Sequence, residues 1–360
     1  FTAFKTATPD SAVFVEEVLI CGTTPKDMRE GFRIGQTVGE AVNACRLLAN
    51  TPGGDMTPSI LAKAAKTAAK GLPITVKVLT KKEMQKEGMG AVLGVAKGSS
   101  EEPAFITMEY KGSNDAPIVL VGKGVTFDSG GLNIKTEGHM YEMHMDMSGG
   151  AAAITAVVLA AKLKLKKHVV ALVPAVENMS ASNALRPGDI LKSLSGQTIE
   201  VIDTDAEGRL ILADALTYAK RYKPSVVLDT ATLTGSSISA VGMRASVLLT
   251  RDEALAGEVS RLGEESGDYV WRLPLWDEYE ENIKGTFADL VNLPESKSMQ
   301  KGDVINAAMF LWQFAKELGC PWAHIDMAPR MTAIPTDKLA KGAAGTPVRL
   351  FIRFIEAWNS

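Results

Sequence analysis

The sequence predicts an α/β fold, a mostly parallel central sheet flanked by helices on both faces. Helix-like and strand-like segments alternate along the chain, as they do where crossover helices join parallel strands. Residues 118–121 form a continuous aliphatic run, which is typical of a strand covered on both faces. The 360 residues are 46% hydrophobic, which is enough to bury such a sheet.

The first predicted elements are two helices. Small and apolar residues recur at helical spacing over residues 32–50, until the turn sequence TPGG at 51–54 ends the pattern. Thr57 and Pro58 then start a second helix as N-cap and first helical residue, and this helix runs to Gly71.

Strands and helices alternate through the rest of the chain. Residues 74–79 show the alternation of a half-buried strand. The further strands are predicted at 118–121, 169–173, 199–202 and 226–228, and the further helices at 151–163, 210–220 and 307–318.

Composition excludes several classes of protein. With 39 Lys+Arg against 42 Asp+Glu, the net charge of -3 gives no electrostatic reason to expect a nucleic-acid or membrane partner. The longest apolar stretch, residues 149–161, is shorter than the ~20 residues needed to span a bilayer, so no membrane span is predicted. Three cysteines are too few for a disulfide framework, which fits a reducing compartment.

Two loops at the carboxyl ends of predicted strands carry charged residues, where open α/β sheets place their ligands. The first loop, GKGVTFDSGG, contains Lys123 and Asp128 and leads on to Lys135 and Asp146. The second loop is DTDAEGRL at residues 203–210.

Two other interpretations of these loops fit less well. The glycines of the first loop do not complete a dinucleotide-binding pattern, because Phe127 holds the third glycine position, and no P-loop is present. The second loop approaches an EF-hand, whose calcium ligands would include Asp214, but a strand leads into it and the twelfth position is not Glu.

A cluster of carboxylates is the remaining interpretation. Asp205 and Glu207 point the same way if the backbone is extended, and Asp128 and Asp146 would raise the count to four. Four adjacent carboxylates repel one another unless cations neutralise them, which favours a binuclear metal site. Spacing alone leaves surface acids beside helix N-termini as an equal alternative.

Three segments resemble the signature blocks of the leucyl aminopeptidases, also called cytosol aminopeptidases or peptidase family M17. They are VGKGVTFDSGG, MYEMHMDMSGGAAA and DTDAEGRLILADAL. The resemblance implies the phosphorylase/hydrolase-like catalytic domain of that family over residues 35–360. Typical members carry a further domain before it, so residues 1–34 are expected to be its remnant or a linker.

The resemblance also implies a role for each charged residue. Two divalent metals, Zn or Mn with Co or Mg as alternatives, are expected to be held by Lys123, Asp128, Asp146, Asp205 and Glu207. Lys135 is expected to stabilise the oxyanion that forms when a water held between the metals attacks the scissile carbonyl. Arg209 is expected to hold a bicarbonate ion that acts as general base, because its planar fork pairs bidentately with such an anion.

The substrate pocket and partners follow from the same resemblance. The residues expected to bind the first side chain of a peptide, with Leu and similar apolar residues preferred, are Met143, Thr232, Gly235, Ala328 and Met331. Peptide substrates, a homohexamer and a cytoplasmic location are expected. Some bacterial members bind DNA, which the net charge disfavours here. Asp203 and Pro329 depart from the family pattern, and their effects are left open.

Overall fold

The structure is a computed structural model that describes residues 4–6, 17–19, 26–136 and 138–359. The helices within these ranges are α1 (Lys26–Asn50), α2 (Pro58–Ala69), α3 (Lys81–Glu87), α4 (Gly90–Val95), α5 (Ser148–Lys162), α6 (Gly208–Ala219), α7 (Ser236–Val241), α8 (Glu253–Ser266), α9 (Asp303–Ala315) and α10 (Val348–Ala357). The strands are β1 (Ile74–Leu79), β2 (Ala104–Lys111), β3 (Ile118–Gly122), β4 (Gly124–Asp128), β5 (His168–Asn178), β6 (Ile190–Lys192), β7 (Thr198–Glu200), β8 (Val226–Ala231), β9 (Ser246–Leu249), β10 (Val270–Arg272), β11 (Leu290–Val291) and β12 (Trp322–Asp326).

A nine-stranded central sheet has the order β1-β2-β5-β3-β8-β12-β9-β10, with β4 beside β5. The pairs β5-β3, β3-β8, β8-β12, β4-β5 and β9-β10 are parallel. The antiparallel pairs are β1-β2, β2-β5 and β12-β9. The prediction of a mostly parallel sheet is therefore confirmed for its centre, whereas antiparallel strands widen it on both sides.

The strand predicted at 199–202 is not part of this sheet. β7 covers residues 198–200 and forms a separate three-stranded sheet with β11, to which it is parallel, and β6, to which it is antiparallel. Three-residue strands give too little periodicity to show from the sequence which sheet they join. β7 of this small sheet precedes the second charged loop, residues 203–210.

Helices cover both faces of the central sheet, as predicted. One hydrophobic cluster joins its first face to α1, α2, α5, α8 and α10, and a second cluster joins the opposite face to α3, α4, α6 and α9. α5 is the most deeply placed helix, because every residue from Ser148 to Ala161 is buried.

Predicted helix starts and caps agree in part with the structure. Thr57 is the N-cap of α2, with its hydroxyl accepting a hydrogen bond from the amide of Ile60. α1 begins at Lys26, six residues before the predicted start, and therefore runs through the predicted domain boundary between residues 34 and 35. Most of residues 1–34 lies outside the described residues, so the nature of that segment stays a prediction.

One stretch in the described part of the chain, Met143–Lys162, is long and apolar enough to cross a membrane by length and composition. It includes α5, and 89% of its most apolar window is buried inside the protein. Such burial is typical of a helix in the core of a globular domain.

A break between β3 and β4, which both pair with β5, positions one residue of the site. β3 pairs with residues 169–172 of β5 and β4 pairs with residues 175–178, so β3 and β4 follow one another along the same neighbour. Lys123 lies in the break between them. The break places a lysine in the middle of the sheet at the carboxyl end of β3.

Candidate metal centre

Lys123 is almost fully buried, with 3% of its side chain exposed. Its Nζ lies 2.7 Å from Asp146 Oδ2 and 2.8 Å from Glu207 Oε1, and it donates a hydrogen bond to the carbonyl of Thr232 at 3.0 Å. Burial disfavours the charged amine, but the charges of Asp146 and Glu207 outweigh this effect and raise its pKa. Lys123 thus carries a proton in this arrangement and must release it before Nζ can bind an ion.

Asp128, at the end of β4, is buried and held in a fixed orientation. Its Oδ1 accepts hydrogen bonds from the amide of Gly130 at 2.9 Å and from the side-chain nitrogen of Asn178 at 2.8 Å. Its Oδ2 lies 2.8 Å from Lys135 Nζ. One carboxylate oxygen is therefore fixed by the protein, while the other faces the centre of the cluster.

Asp146 lies at the end of a short 3₁₀ turn that leads into α5. Its Oδ1 accepts a hydrogen bond from the Thr232 hydroxyl at 2.6 Å, and its Oδ2 faces Lys123. Burial raises the pKa of Asp146 well above its usual value, with Lys123 opposing the shift. Thr232 thereby links the turn that contains Asp146 to the segment that follows β8.

Glu207 and Asp205 come from the loop that precedes α6. Glu207 is buried, whereas 32% of the Asp205 side chain is exposed. Burial and then the charge of Asp128 raise the pKa of both carboxyls, that of Asp205 to about 7. Both side chains turn to the same cluster, but not through the extended backbone on which the prediction rests, because residues 204–205 form a turn and Glu207 has helical dihedral angles.

Lys135 contacts the two carboxylates of the cluster that Lys123 does not contact at ion-pair distance. Its Nζ lies 2.8 Å from Asp128 Oδ2 and 2.6 Å from Asp205 Oδ1, and 14% of its side chain is exposed. Burial lowers its pKa, but the nearby carboxylates more than compensate, so the pKa is raised. A protonated and partly accessible ammonium group suits the predicted role of oxyanion stabiliser.

The cluster has the properties of a site for divalent cations. Oxygen atoms of Asp128, Asp146 and Glu207 lie within 4.8 Å of one another. Asp146 Oδ2, Asp205 Oδ1 and Glu207 Oε1 are buried and accept no hydrogen bond of normal geometry from the described residues, although lysine nitrogens lie at ion-pair distance. Four carboxylates face two ammonium groups, which leaves two negative charges uncompensated. These residues therefore fit divalent ions with oxygen and amine ligands.

The burial of Asp128, Asp146 and Glu207 contradicts the alternative of surface acids. The EF-hand interpretation also fails, because Asp214 points away from the cluster and accepts hydrogen bonds from the amides of Ala91, Val92 and Leu194. The glycines considered for phosphate binding serve packing: a Cβ on Gly122 would lie 2.4 Å from the carbonyl oxygen of Gly149.

Gly208 is required by the path of the Lys123 side chain. A Cβ on Gly208 would lie 2.7 Å from Lys123 Cε and 2.8 Å from its Nζ. The first residue of α6 can therefore carry no side chain without displacing the lysine. The glycine of the DAEGRL motif thus has a steric role in the site.

Arg209 follows in the same turn of α6, and its ion pair among the described residues is with Asp303 rather than with the carboxylate cluster. It is 2% exposed, its Nη1 donates to the carbonyl of Asn292 and its Nη2 to Asp303 Oδ1, both at 2.8 Å. Its Nε has no hydrogen-bond partner among the described residues. Because each terminal nitrogen carries a second N–H, these contacts leave donors for an anion, and the binding of bicarbonate stays a prediction.

The residues predicted to bind substrate lie around the segment that follows β8. Asp326, at the end of β12, accepts hydrogen bonds from the amides of Leu233, Thr234 and Ala328 at 3.1–3.2 Å. This buried carboxylate joins the loop that contains Thr232 and Gly235 to the turn that contains Ala328. The amide of Met331 donates to the carbonyl of Ala328, and the carbonyl of Met143 accepts from the amide of Asp146.

The two departures from the family pattern have simple local structures. Asp203 Oδ1 accepts a hydrogen bond from the amide of Asp205 at 2.8 Å, which an asparagine oxygen would accept equally well. Pro329 is buried in a 3₁₀ turn beside Ala328. Neither change removes a predicted ligand.

The sequence analysis missed two polar residues that hold the loops together. Asn178, the last residue of β5, donates to Asp128 Oδ1 and to the carbonyl of Thr204. Asn292 accepts from the amides of Ile202 and Asp203. A polar residue at the end of a buried strand was the available signal for Asn178, whereas Asn292 follows a two-residue strand that has no clear pattern.

Comparison with known proteins agrees with this geometry. A family model described as the cytosol aminopeptidase family, catalytic domain, matches residues 43–352. A probable cytosol aminopeptidase of Azoarcus sp. (strain BH72) is 46% identical over 340 residues, which are 94% of this chain and 66% of that protein. One of Nitrosococcus oceani is 46% identical over 329 residues, 91% of this chain and 64% of that protein. The chain thus spans about two thirds of the length of these relatives.

Two solved structures of another enzyme are also similar. The bottromycin maturation enzyme BotP in complex with Mn superimposes with a TM-score of 0.87 at 36% identity, covering 92% of this chain and 73% of that chain. A second BotP structure gives a TM-score of 0.89 at 34% identity, with coverages of 99% and 75%.

Proposed function

The chain belongs to the cytosol aminopeptidase family, and from this premise we propose that it is a metal-dependent aminopeptidase that releases N-terminal residues from peptides. One observation carries the proposal: four carboxylates, three of them buried, converge with only two lysines near the carboxyl ends of β3 and β4. Buried carboxylates that outnumber the ammonium groups beside them repel one another unless further cations neutralise them.

Two divalent ions held by Lys123, Asp128, Asp146, Asp205 and Glu207 would supply an acidified water as nucleophile and polarise the scissile carbonyl. We propose Zn or Mn as these ions. The oxygen-rich ligand set supports either, as well as Co or Mg, and one of the similar BotP structures is a complex with Mn.

The chain's own cations supply the rest of the proposed chemistry. Lys135 is held by Asp128 and Asp205, so its protonated amine stands beside the centre with part of its surface accessible. It would donate a hydrogen bond to the oxyanion that develops on the scissile carbonyl. Arg209 adds a fixed positive charge at the start of α6.

The proposal is tested with Leu-p-nitroanilide after loading the protein with Zn²⁺ or Mn²⁺. We expect turnover that is lost on chelation and restored by the metal, together with two bound ions per chain by elemental analysis. A protein that binds two ions but releases no p-nitroaniline would contradict the aminopeptidase assignment.

We also propose that Leu-sized apolar side chains are preferred, and Gly235 offers a test. Gly235 has φ -64°, and a Cβ there would meet no atom within 4 Å, so a larger side chain is compatible with the fold. In Gly235→Leu, the new side chain is expected to fill the depth of the pocket. We expect kcat/KM for Leu-p-nitroanilide to fall about tenfold or more relative to Ala-p-nitroanilide.

Gly257→Leu is the matched control, because Gly257 is also a glycine with open space around its Cβ, but on α8. It should leave the ratio of the two substrates unchanged. If Gly235→Leu lowers kcat/KM equally for both substrates, Gly235 does not line the pocket.

We further propose that the chain acts in the cytoplasm on peptides and assembles as a homohexamer. The names of its curated relatives support the location. The hexamer is supported only by the family, and sedimentation equilibrium would measure it.

A further inference from the structure

Asp326, the last residue of β12, connects two segments that carry residues of the predicted substrate pocket. Its side chain is fully buried. Its Oδ1 accepts hydrogen bonds from the amides of Leu233 and Ala328, at 3.2 and 3.1 Å. Its Oδ2 accepts from the amide and the hydroxyl of Thr234, at 3.1 and 2.6 Å. One carboxylate group therefore holds the segment that follows β8 against the turn that follows β12.

These contacts begin where the central sheet stops. We call residues 232–235 the first wall of the predicted pocket and residues 328–331 the second wall. The strands before them, β8 and β12, are parallel neighbours, and the bond from the amide of Met327 to the carbonyl of Ala231 continues their pairing by one step. Within the described part of the chain, no backbone hydrogen bond joins the two walls themselves. Their spacing therefore depends on the side chain of Asp326.

The first wall is tied independently to the carboxylate cluster. The Thr232 hydroxyl donates to Asp146 Oδ1 at 2.6 Å, and Lys123 Nζ donates to the carbonyl of Thr232 at 3.0 Å. Asp326 forms no hydrogen bond or ion pair with the predicted metal ligands among the described residues. A change at Asp326 should therefore release the second wall from the first and leave the predicted metal ligands in place.

The chemistry of a carboxylate suits this connection. Both of its oxygens accept hydrogen bonds, so it can bind two pairs of donors at once, whereas an asparagine side chain has a single acceptor oxygen. A buried carboxylate is unfavourable unless such donors surround it, and here four donors do so. The four bonds thus fix both the distance and the orientation of the two walls.

We propose that Asp326 is a positioning residue for substrate selection. It sets the separation of the two walls and thereby the size of the side chain that the pocket accepts. It acts through Thr234 and Ala328 and does not itself touch the reacting atoms. This inference rests on the proposed aminopeptidase function and adds to it a determinant of specificity that lies behind the pocket.

The test compares Asp326→Asn with the wild type. The substitution keeps the size of the side chain but replaces one acceptor oxygen by a donor nitrogen. The ratio of kcat/KM for Leu-p-nitroanilide to that for Ala-p-nitroanilide should fall about fivefold or more, mainly through a higher KM for the leucine substrate. Elemental analysis should still find two ions per chain. Hydrogen exchange measured by mass spectrometry should become faster in both walls.

A second variant and a control accompany this test. Thr234→Val removes the hydroxyl donor and keeps the shape of the side chain, so it should lower the same ratio by a smaller factor even if Asp326→Asn does not fold. Asp214→Asn is the matched control, because Asp214 is also fully buried and accepts backbone hydrogen bonds from two separate segments, but outside the pocket. It should lose stability and keep both the substrate ratio and KM.

The inference is overturned if folded Asp326→Asn keeps the substrate ratio within about twofold of the wild type, or if Asp214→Asn changes the ratio as much. Turnover by the wild type without a change of ratio in Asp326→Asn would leave the proposed function intact and refute only the role of Asp326. If the wild type turns over neither substrate, the proposed function fails. Hydrogen exchange then decides the positioning alone: faster exchange in both walls of Asp326→Asn supports it, and unchanged exchange refutes it.

Discussion

Glu207→Gln is expected to remove at least one of the two bound metal ions and, with it, nearly all peptide turnover. Glu207 is 1% exposed, and one of its carboxylate oxygens lies within 4.8 Å of oxygens of Asp128 and Asp146. The amide keeps the shape of the side chain but removes the negative charge and replaces one acceptor oxygen by a donor nitrogen. We expect the bound ions to fall from two per chain to one or none, and turnover to fall by roughly a thousandfold or more.

Elemental analysis and Leu-p-nitroanilide turnover measure the two effects, and far-ultraviolet circular dichroism checks the fold. Glu200→Gln is a suitable control, because Glu200 is also buried but accepts a hydrogen bond from the amide of Phe287 outside the cluster. It should keep both ions and the activity. If Glu207→Gln keeps both metal ions and full activity, the assignment of Glu207 as a metal ligand is wrong.

Asp214→Ala is expected to cause the largest loss of stability, about 3–6 kcal/mol in the free energy of unfolding. The Asp214 carboxylate is fully buried and accepts three backbone hydrogen bonds. Two come from the first turn of α4 and one from Leu194, so a single side chain satisfies donors from two separate segments. Alanine leaves all three amides buried without a partner.

Urea unfolding followed by tryptophan fluorescence measures this loss, or the rate of thermal inactivation if unfolding is irreversible. Asp214→Asn should be intermediate, because its oxygen can still accept while its amide nitrogen faces a backbone donor. Samples that remain folded should keep their metal content, since Asp214 lies outside the cluster. A loss below about 1 kcal/mol would mean that the three amides find other acceptors.

The centre of the fold was predictable because its segments are long and uniformly apolar. Residues 118–121 and 226–228 gave clear strand signals, and both belong to central strands. β12 was missed because Trp322–Asp326 places a histidine and an aspartate on a short strand, and such polar residues hide the apolar pattern. In the structure the Asp229 carboxylate accepts a hydrogen bond from the Trp322 indole and pairs with His324 Nδ1, whereas His324 Nε2 has no hydrogen-bond partner among the described residues.

The residues of the cluster were predictable for a different reason. The resemblance supplied Lys123, Asp128, Asp146, Asp205 and Glu207, and the structure brings all five together. Spacing alone predicted only that the side chains of Asp205 and Glu207 point the same way.

The supporting residues were not predictable, because their partners are far away in the chain. Asp326 and Thr234 are separated by 92 residues, and Arg209 and Asp303 by 94. No local period reports such a contact. The hydrogen bond between Arg209 and Asp303 is such a contact, and no pattern in the sequence indicates it.

The break between β3 and β4 gives the two lysines different freedom of movement. The amide of Lys123 donates to the carbonyl of Thr230 in β8, and its carbonyl accepts from the amide of Gly150 in α5. Lys135 is attached to a loop, with its amide donating to Ser129. Lys123 can therefore leave its place only when the sheet itself opens, whereas Lys135 can shift by local opening of the loop. The backbone of Lys123 is therefore as stable as the core of the sheet, whereas that of Lys135 is only as stable as its loop.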